Sequence, residues 1–161
     1  MKTVDQWLDE YGESHKNKTN KLIHWICIPL IVFSLVGLLW IIPTPAIFES
    51  STYLNWATIV LAAALLFYIR LSIPLFIGFV IISALMVLGN ATLFQMLDEN
   101  WVYHLLVSVG IFVIAWIGQF IGHNIEGKKP SFFKDLQFLL IGPAWLLHFM
   151  LKSVGLPYKN S

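Results

Sequence analysis

The sequence predicts an all-α integral membrane helix bundle, with four transmembrane helices plus a C-terminal re-entrant or interfacial helix. Three observations predict it. Apolar residues make up 58% of the 161-residue chain and charged residues only 12%, against roughly 25% charge in a soluble domain. Uncharged apolar runs recur near the ~20 residues needed to cross about 30 Å of hydrocarbon. Lysine and arginine fall only in alternate connecting segments, the pattern of cytoplasmic loops.

The elements follow in order within a single membrane domain, residues 1–161. Residues 1–21 are a polar, cytoplasmic N-terminal segment. The first span, 22–42, is LIHWICIPLIVFSLVGLLWII, and Pro43 and Pro45 end it, because proline lacks a donor and clashes with the preceding turn. The second, 54–69, stops at Arg70. The third, 71–97, has Pro74 in its first turn. The fourth is 101–122. The last segment, 136–151, is short and interrupted by Gly142-Pro143, which suits a re-entrant or interfacial helix better than a plain span.

Lys2, Lys16, Lys18 and Lys21 place the N-terminus in the cytoplasm. Arg70, then Lys128, Lys129 and Lys134, mark the other cytoplasmic loops, and Lys152 and Lys159 favour a cytoplasmic C-terminus. The expected location is the bacterial inner membrane, or the endoplasmic reticulum if the chain is eukaryotic. No cleaved signal is expected, since about 21 polar residues precede the first apolar run. A net charge of +1 gives no reason to expect nucleic acid as a partner; the lipid bilayer is the expected one. A single cysteine, Cys27, excludes an internal disulfide. The oligomeric state stays open, a homo-oligomer included.

Topology sorts the five histidines. His15 and His24 lie at the cytoplasmic start of the first span, and His123 at the cytoplasmic end of the fourth. His104 lies at the far face, roughly 28 Å from His123 along a helix. His148 joins the cytoplasmic group if the last segment folds back. Clustered imidazoles suit iron, zinc, copper or nickel. His15 and His24 are out of helical phase, so sharing an ion requires a turn before Asn17, which Glu13 and Ser14 favour. Asn17, Asn20 and His24 share one helix face, as do Gln119, His123 and Glu126. These amides and the carboxylate are candidates to support the histidines or orient a substrate. The plain alternatives are capping by Asn17 and Asn20, interhelical bonding by Gln119 and Asn90, and a surface pair of Glu126 with Lys128 or Lys129. Walker, G-x-S-x-G and H-E-x-x-H motifs are absent. So are the paired-histidine boxes of membrane di-iron hydroxylases.

Three stretches carry a resemblance: Y-G-E-S-H-K-N-K-T-N-K-L-I-H-W-I-C-I-P, W-I-G-Q-F-I-G-H-N-I-E-G-K-K-P-S-F and L-L-I-G-P. From about Tyr11 to Leu151 the chain resembles the 2-hydroxy fatty acid dioxygenase family, whose fungal member acts in the endoplasmic reticulum in phytosphingosine degradation. The resemblance implies an Fe(II)-dependent dioxygenase of fatty acid α-oxidation. Such an enzyme converts a long-chain 2-hydroxy fatty acid and O2 to CO2 and the fatty acid one carbon shorter. Carried onto this sequence, the motif histidines match His15, His24 and His123, as catalytic metal ligands, with His148 a candidate fourth. Asn17, Asn20, Gln119, Glu126 and Lys128 become candidate substrate-binding or supporting residues, and Lys16 and Lys18 further attractors of the substrate anion. Two departures stand out: the loop from His123 to Pro130 is shorter than in fungal members, and His148 stands near where those members carry a glutamate. The rival readings are a non-catalytic small membrane protein, such as an assembly factor or transporter, and a zinc-dependent membrane lipid hydrolase.

Overall fold

The computed structural model describes residues 2–48, 51, 53–127 and 132–160. Six α-helices and no strand occur among them: α1 Val4–Gly12, α2 Lys18–Trp40, α3 Trp56–Leu71, α4 Ile73–Met96, α5 Trp101–Glu126 and α6 Phe132–Ser153. Three of these, α2, α4 and α5, are long and apolar enough to cross a membrane. Helix α3 has 16 residues, or about 24 Å of rise.

Helix ends differ from the apolar runs because polar caps, not hydropathy, set them. Asn17 caps α2 by accepting from the Thr19 and Asn20 N–H groups, so the helix begins four residues before the apolar run. Helix α5 runs on to Glu126 and stops at Gly127, whose φ of 73° is the left-handed conformation that glycine tolerates. Residues 1–21 are not simply polar chain. Thr3 and Gln6 form a capping box, and Val4, Leu8 and Tyr11 bury one face of α1 against Ile141, Ala144 and Trp145 of α6. Helix α6 continues through Gly142-Pro143. Proline removes one helical hydrogen bond there, and in that same turn the Tyr68 hydroxyl donates to the Leu140 carbonyl at 2.7 Å.

Helices α2 and α5 are antiparallel partners, and small residues set their spacing. A Cβ on Gly122 would lie 2.3 Å from Asn20 Oδ1, one on Gly118 2.6 Å from Cys27 Sγ, and one on Gly37 2.3 Å from Ser108 Oγ. Residues 20, 27 and 37 thus meet 122, 118 and 108 in reverse order. Without a hydrophobic drive between helices in lipid, such close approach is what holds them. Ser72 ends α3 and caps α4. Its hydroxyl donates to the Tyr158 carbonyl at 2.7 Å, while Tyr158 and Lys159 both reach the Asp5 carboxylate at 3.0 Å. The C-terminal tail therefore ties the start of α1 to the α3–α4 turn.

Candidate metal centre

The turn between α1 and α2 delivers His15, and α2 delivers His24 one helical turn after Asn20. Both rings are locked by local carbonyls: His15 Nδ1–H donates to the Tyr11 carbonyl at 2.6 Å and His24 Nδ1–H to the Asn20 carbonyl at 2.9 Å. A neutral imidazole that donates from Nδ1 keeps a lone pair on Nε2. Tyr11 also stacks on His15, with ring centroids 4.1 Å apart. His123, on the last turns of α5, completes the group. Ring centroids lie 4.2 Å apart for His15 and His24, 5.0 Å for His24 and His123, and 5.4 Å for His15 and His123.

One nitrogen from each ring lies within 4.8 Å of the others. His15 Nε2, His24 Nε2 and His123 Nδ1 are buried and have no hydrogen-bond partner. Leaving such a group unmade costs about 1–3 kcal/mol each, so three together call for a shared ligand. Two nitrogens bound at about 2 Å to one ion lie at most about 4 Å apart, so closing the group takes a shift of less than about 1 Å. Three imidazoles without a direct carboxylate suit iron, zinc, copper or nickel, so a metal ion fits the residues present.

Glu126 sits one turn beyond His123 and faces the start of α2 rather than an ion. Its carboxylate accepts from the Lys16 N–H at 2.8 Å, the Asn17 N–H at 2.9 Å and the Asn20 amide at 3.1 Å. Asn20 is fully buried and also donates to the Ser14 carbonyl at 3.1 Å. Glu126 thereby fastens the His15 turn and the His24 helix to the helix of His123. Asn17 is occupied as the cap of α2. Gln119 is buried one turn before His123, and its amide nitrogen has no partner; one turn further, neither has Trp116 Nε1. His148 stands apart from the three. Its Nδ1–H donates to the Trp145 carbonyl, and it lines, with Lys16, Lys21 and Trp145, an open cleft of about 310 Å³ that reaches His15 of the triad. His104 is buried in the other half of α5 near Gly37 and Asn90. Lys128 lies outside the described residues. Tyr11 and Trp145 had no chemical signature in the sequence, whereas Gly122, next to His123, already marked a point of close backbone approach. Only the spacing of Tyr11 four residues before His15 marked a carbonyl within reach of the ring.

Burial pushes the His15 imidazole from 6.5 down to about 4, against the opposing bond to the Tyr11 carbonyl. Between these values the unfolded chain binds the extra proton and the folded chain does not, so stability falls as pH drops from about 6.5 towards 4. The metal-free protein is expected to lose roughly 3 kcal/mol over that window from this group. Thermal melts in detergent at stepped pH check this, and His15→Gln should make the fall shallower by about that amount.

Residues 1–154 match the family model described as 2-hydroxy-palmitic acid dioxygenase Mpo1-like. The chain is 29% identical over 147 residues to the 2-hydroxy-palmitic acid dioxygenase MPO1 of Saccharomyces cerevisiae, covering 90% of this chain and 78% of the yeast protein. No solved structure matches. With all but its last residues matched, the chain belongs to the Mpo1-like family, the family of 2-hydroxy-palmitic acid dioxygenase.

Proposed function

We propose that the protein is an Fe(II)-dependent dioxygenase of fatty acid α-oxidation, with His15, His24 and His123 as the iron ligands. The single observation that carries this reading is the convergence of three buried, unpartnered imidazole nitrogens in a chain similar to a 2-hydroxy-palmitic acid dioxygenase. The balanced reaction is R–CH(OH)–COOH + O2 → R–COOH + CO2 + H2O. The substrate supplies all four electrons that O2 takes up, so no further reductant is needed. Bound iron supplies the one-electron chemistry with O2 that no side chain here offers.

The chain's own groups do the rest. Tyr11 and Asn20 carbonyls hold His15 and His24 in the tautomer that leaves Nε2 free. Glu126 keeps the two helix ends together. The unpartnered Gln119 amide is placed to donate to the substrate's carboxylate or 2-hydroxyl. Lys16 and Lys21 at the mouth attract the anion, and Asp9 and Glu13 beside them limit that attraction to close range. Four crossings with the N-terminus cytoplasmic, in a bacterial inner membrane, is the topology of this reading. Support comes from the short link and the tail contacts: only five residues separate α5 from α6, and the segment after α6 returns to Asp5 and Ser72. That suits an α6 lying at the cytoplasmic interface.

Purified protein should hold iron near one atom per chain. Under air it should convert 2-hydroxypalmitate to pentadecanoate, with one CO2 released per O2 consumed. Well-folded protein reconstituted with Fe(II) that leaves 2-hydroxypalmitate untouched defeats the proposal. Release of a fatty acid from an ester or amide lipid without O2, with 2-hydroxypalmitate left untouched, selects the zinc hydrolase instead.

A further inference from the structure

A second feature lies one turn along α2 from His24. An apolar cleft of about 550 Å³ lies among α2, α3, α4 and α6. Its hydroxyl groups are Ser83 and Tyr68, and the latter is already bonded to the Leu140 carbonyl. At about 100° per residue, His24 shares one stripe of α2 with Ile28, Leu35 and Leu39, all within about 60° of each other. Those three leucine and isoleucine residues line the cleft. From His24 to Leu39 the stripe rises about 22 Å, roughly three-quarters of the thickness of the hydrocarbon.

We propose that this cleft holds the alkyl chain of the 2-hydroxy acid and sets the chain length accepted. The inference rests on the dioxygenase reading and names how its substrate is held. The head reaches the triad at the cytoplasmic end while the tail follows the α2 stripe towards Leu39. Lipid tails are as apolar as the cleft, so moving a chain from bilayer to protein gains little by transfer alone. Selection must come from fit, and filling the cleft part-way should exclude long chains rather than weaken all of them evenly. Ala64 on α3 and Ser83 on α4 are the small lining residues about half-way along.

The probe is 2-hydroxypalmitate carrying a photoreactive diazirine at the far end of its chain, added to the full-length protein in nanodiscs. Labelling should map to the α3 and α4 peptides around Leu61 and Met86, and excess 2-hydroxypalmitate should compete it away. Ala64→Phe and Ser83→Phe should each cut that labelling at least tenfold and lower the turnover ratio of 2-hydroxypalmitate to 2-hydroxyoctanoate by a similar factor. Labelling confined to outward residues such as Ile114 and Ile117, or labelling that competitor does not reduce, overturns the proposal and leaves bilayer lipid as the occupant. Photolabelling needs neither iron nor turnover. A protein that labels as expected but, reconstituted with Fe(II), leaves 2-hydroxypalmitate untouched therefore refutes the dioxygenase reading alone.

Discussion

His24→Ala is expected to empty the metal centre and to lower turnover of 2-hydroxypalmitate at least about 10³-fold, beyond the 10–100-fold that loss of an outer hydrogen-bond partner costs a metal site. The reason is local. His24 Nε2 is one of three free nitrogens that face one another, and it is fully buried, so bulk water cannot take its place. Stability of the metal-free protein should change far less. The substitution removes a buried imidazole nitrogen that has no partner, which is favourable, and leaves a small cavity, which is not. Elemental analysis of iron and an oxygen electrode measure the two effects. His104→Ala is the matched control: His104 is equally buried but sits near Asn90 and Gly37, away from the triad. It should keep both its iron and its turnover. An iron-replete His24→Ala protein would reject the assignment of ligands.

Gly122→Ala should be nearly as damaging, although it removes no chemical group. The added methyl would sit 2.3 Å from Asn20 Oδ1. Asn20 cannot simply swing away, since its amide is held by the Ser14 carbonyl and by Glu126. Either α2 and α5 separate or Asn20 breaks its bonds. Both outcomes move His24 relative to His123, and a metal–nitrogen bond of about 2 Å tolerates little movement. Overpacking of this kind costs about 1–3 kcal/mol, visible as a lower Tm, and iron occupancy should drop with it. Shortening the neighbour should repair the clash: Asn20→Ser combined with Gly122→Ala is expected to regain part of the Tm lost in Gly122→Ala alone. A single Gly122→Ala protein with unchanged Tm and iron would show that the close approach at this pair is not needed.

Hydropathy and charge alternation were enough to read a helical membrane chain and to find its long apolar helices, because the bilayer imposes one length and one polarity on anything that crosses it. They also sorted the histidines, since residues at one end of successive antiparallel helices must share a face. Placement along the chain separated His104 from His15, His24 and His123 before any distance was known. Helix α1 was missed because residues 1–21 are polar overall, and its buried face is three residues, Val4, Leu8 and Tyr11, that carry meaning only against α6. Pro143 read as a break, yet α6 passes through it, with a hydroxyl from another helix reaching that turn. Helix phase made Glu126 a candidate to support the histidines, but its partners were hidden: the carboxylate reaches backbone groups 110 residues away in the chain.

That contrast has one physical root. Solvent preference is a property of each residue, so a one-dimensional pattern records which segments are apolar and long enough to lie in a bilayer. Contact between α2 and α5 is a property of pairs far apart in sequence, decided by which small residue lets which polar one approach. The tautomer of each histidine, the fastening by Glu126 and the separation of His148 from the other three all depend on such contacts, and only the folded bundle decided them.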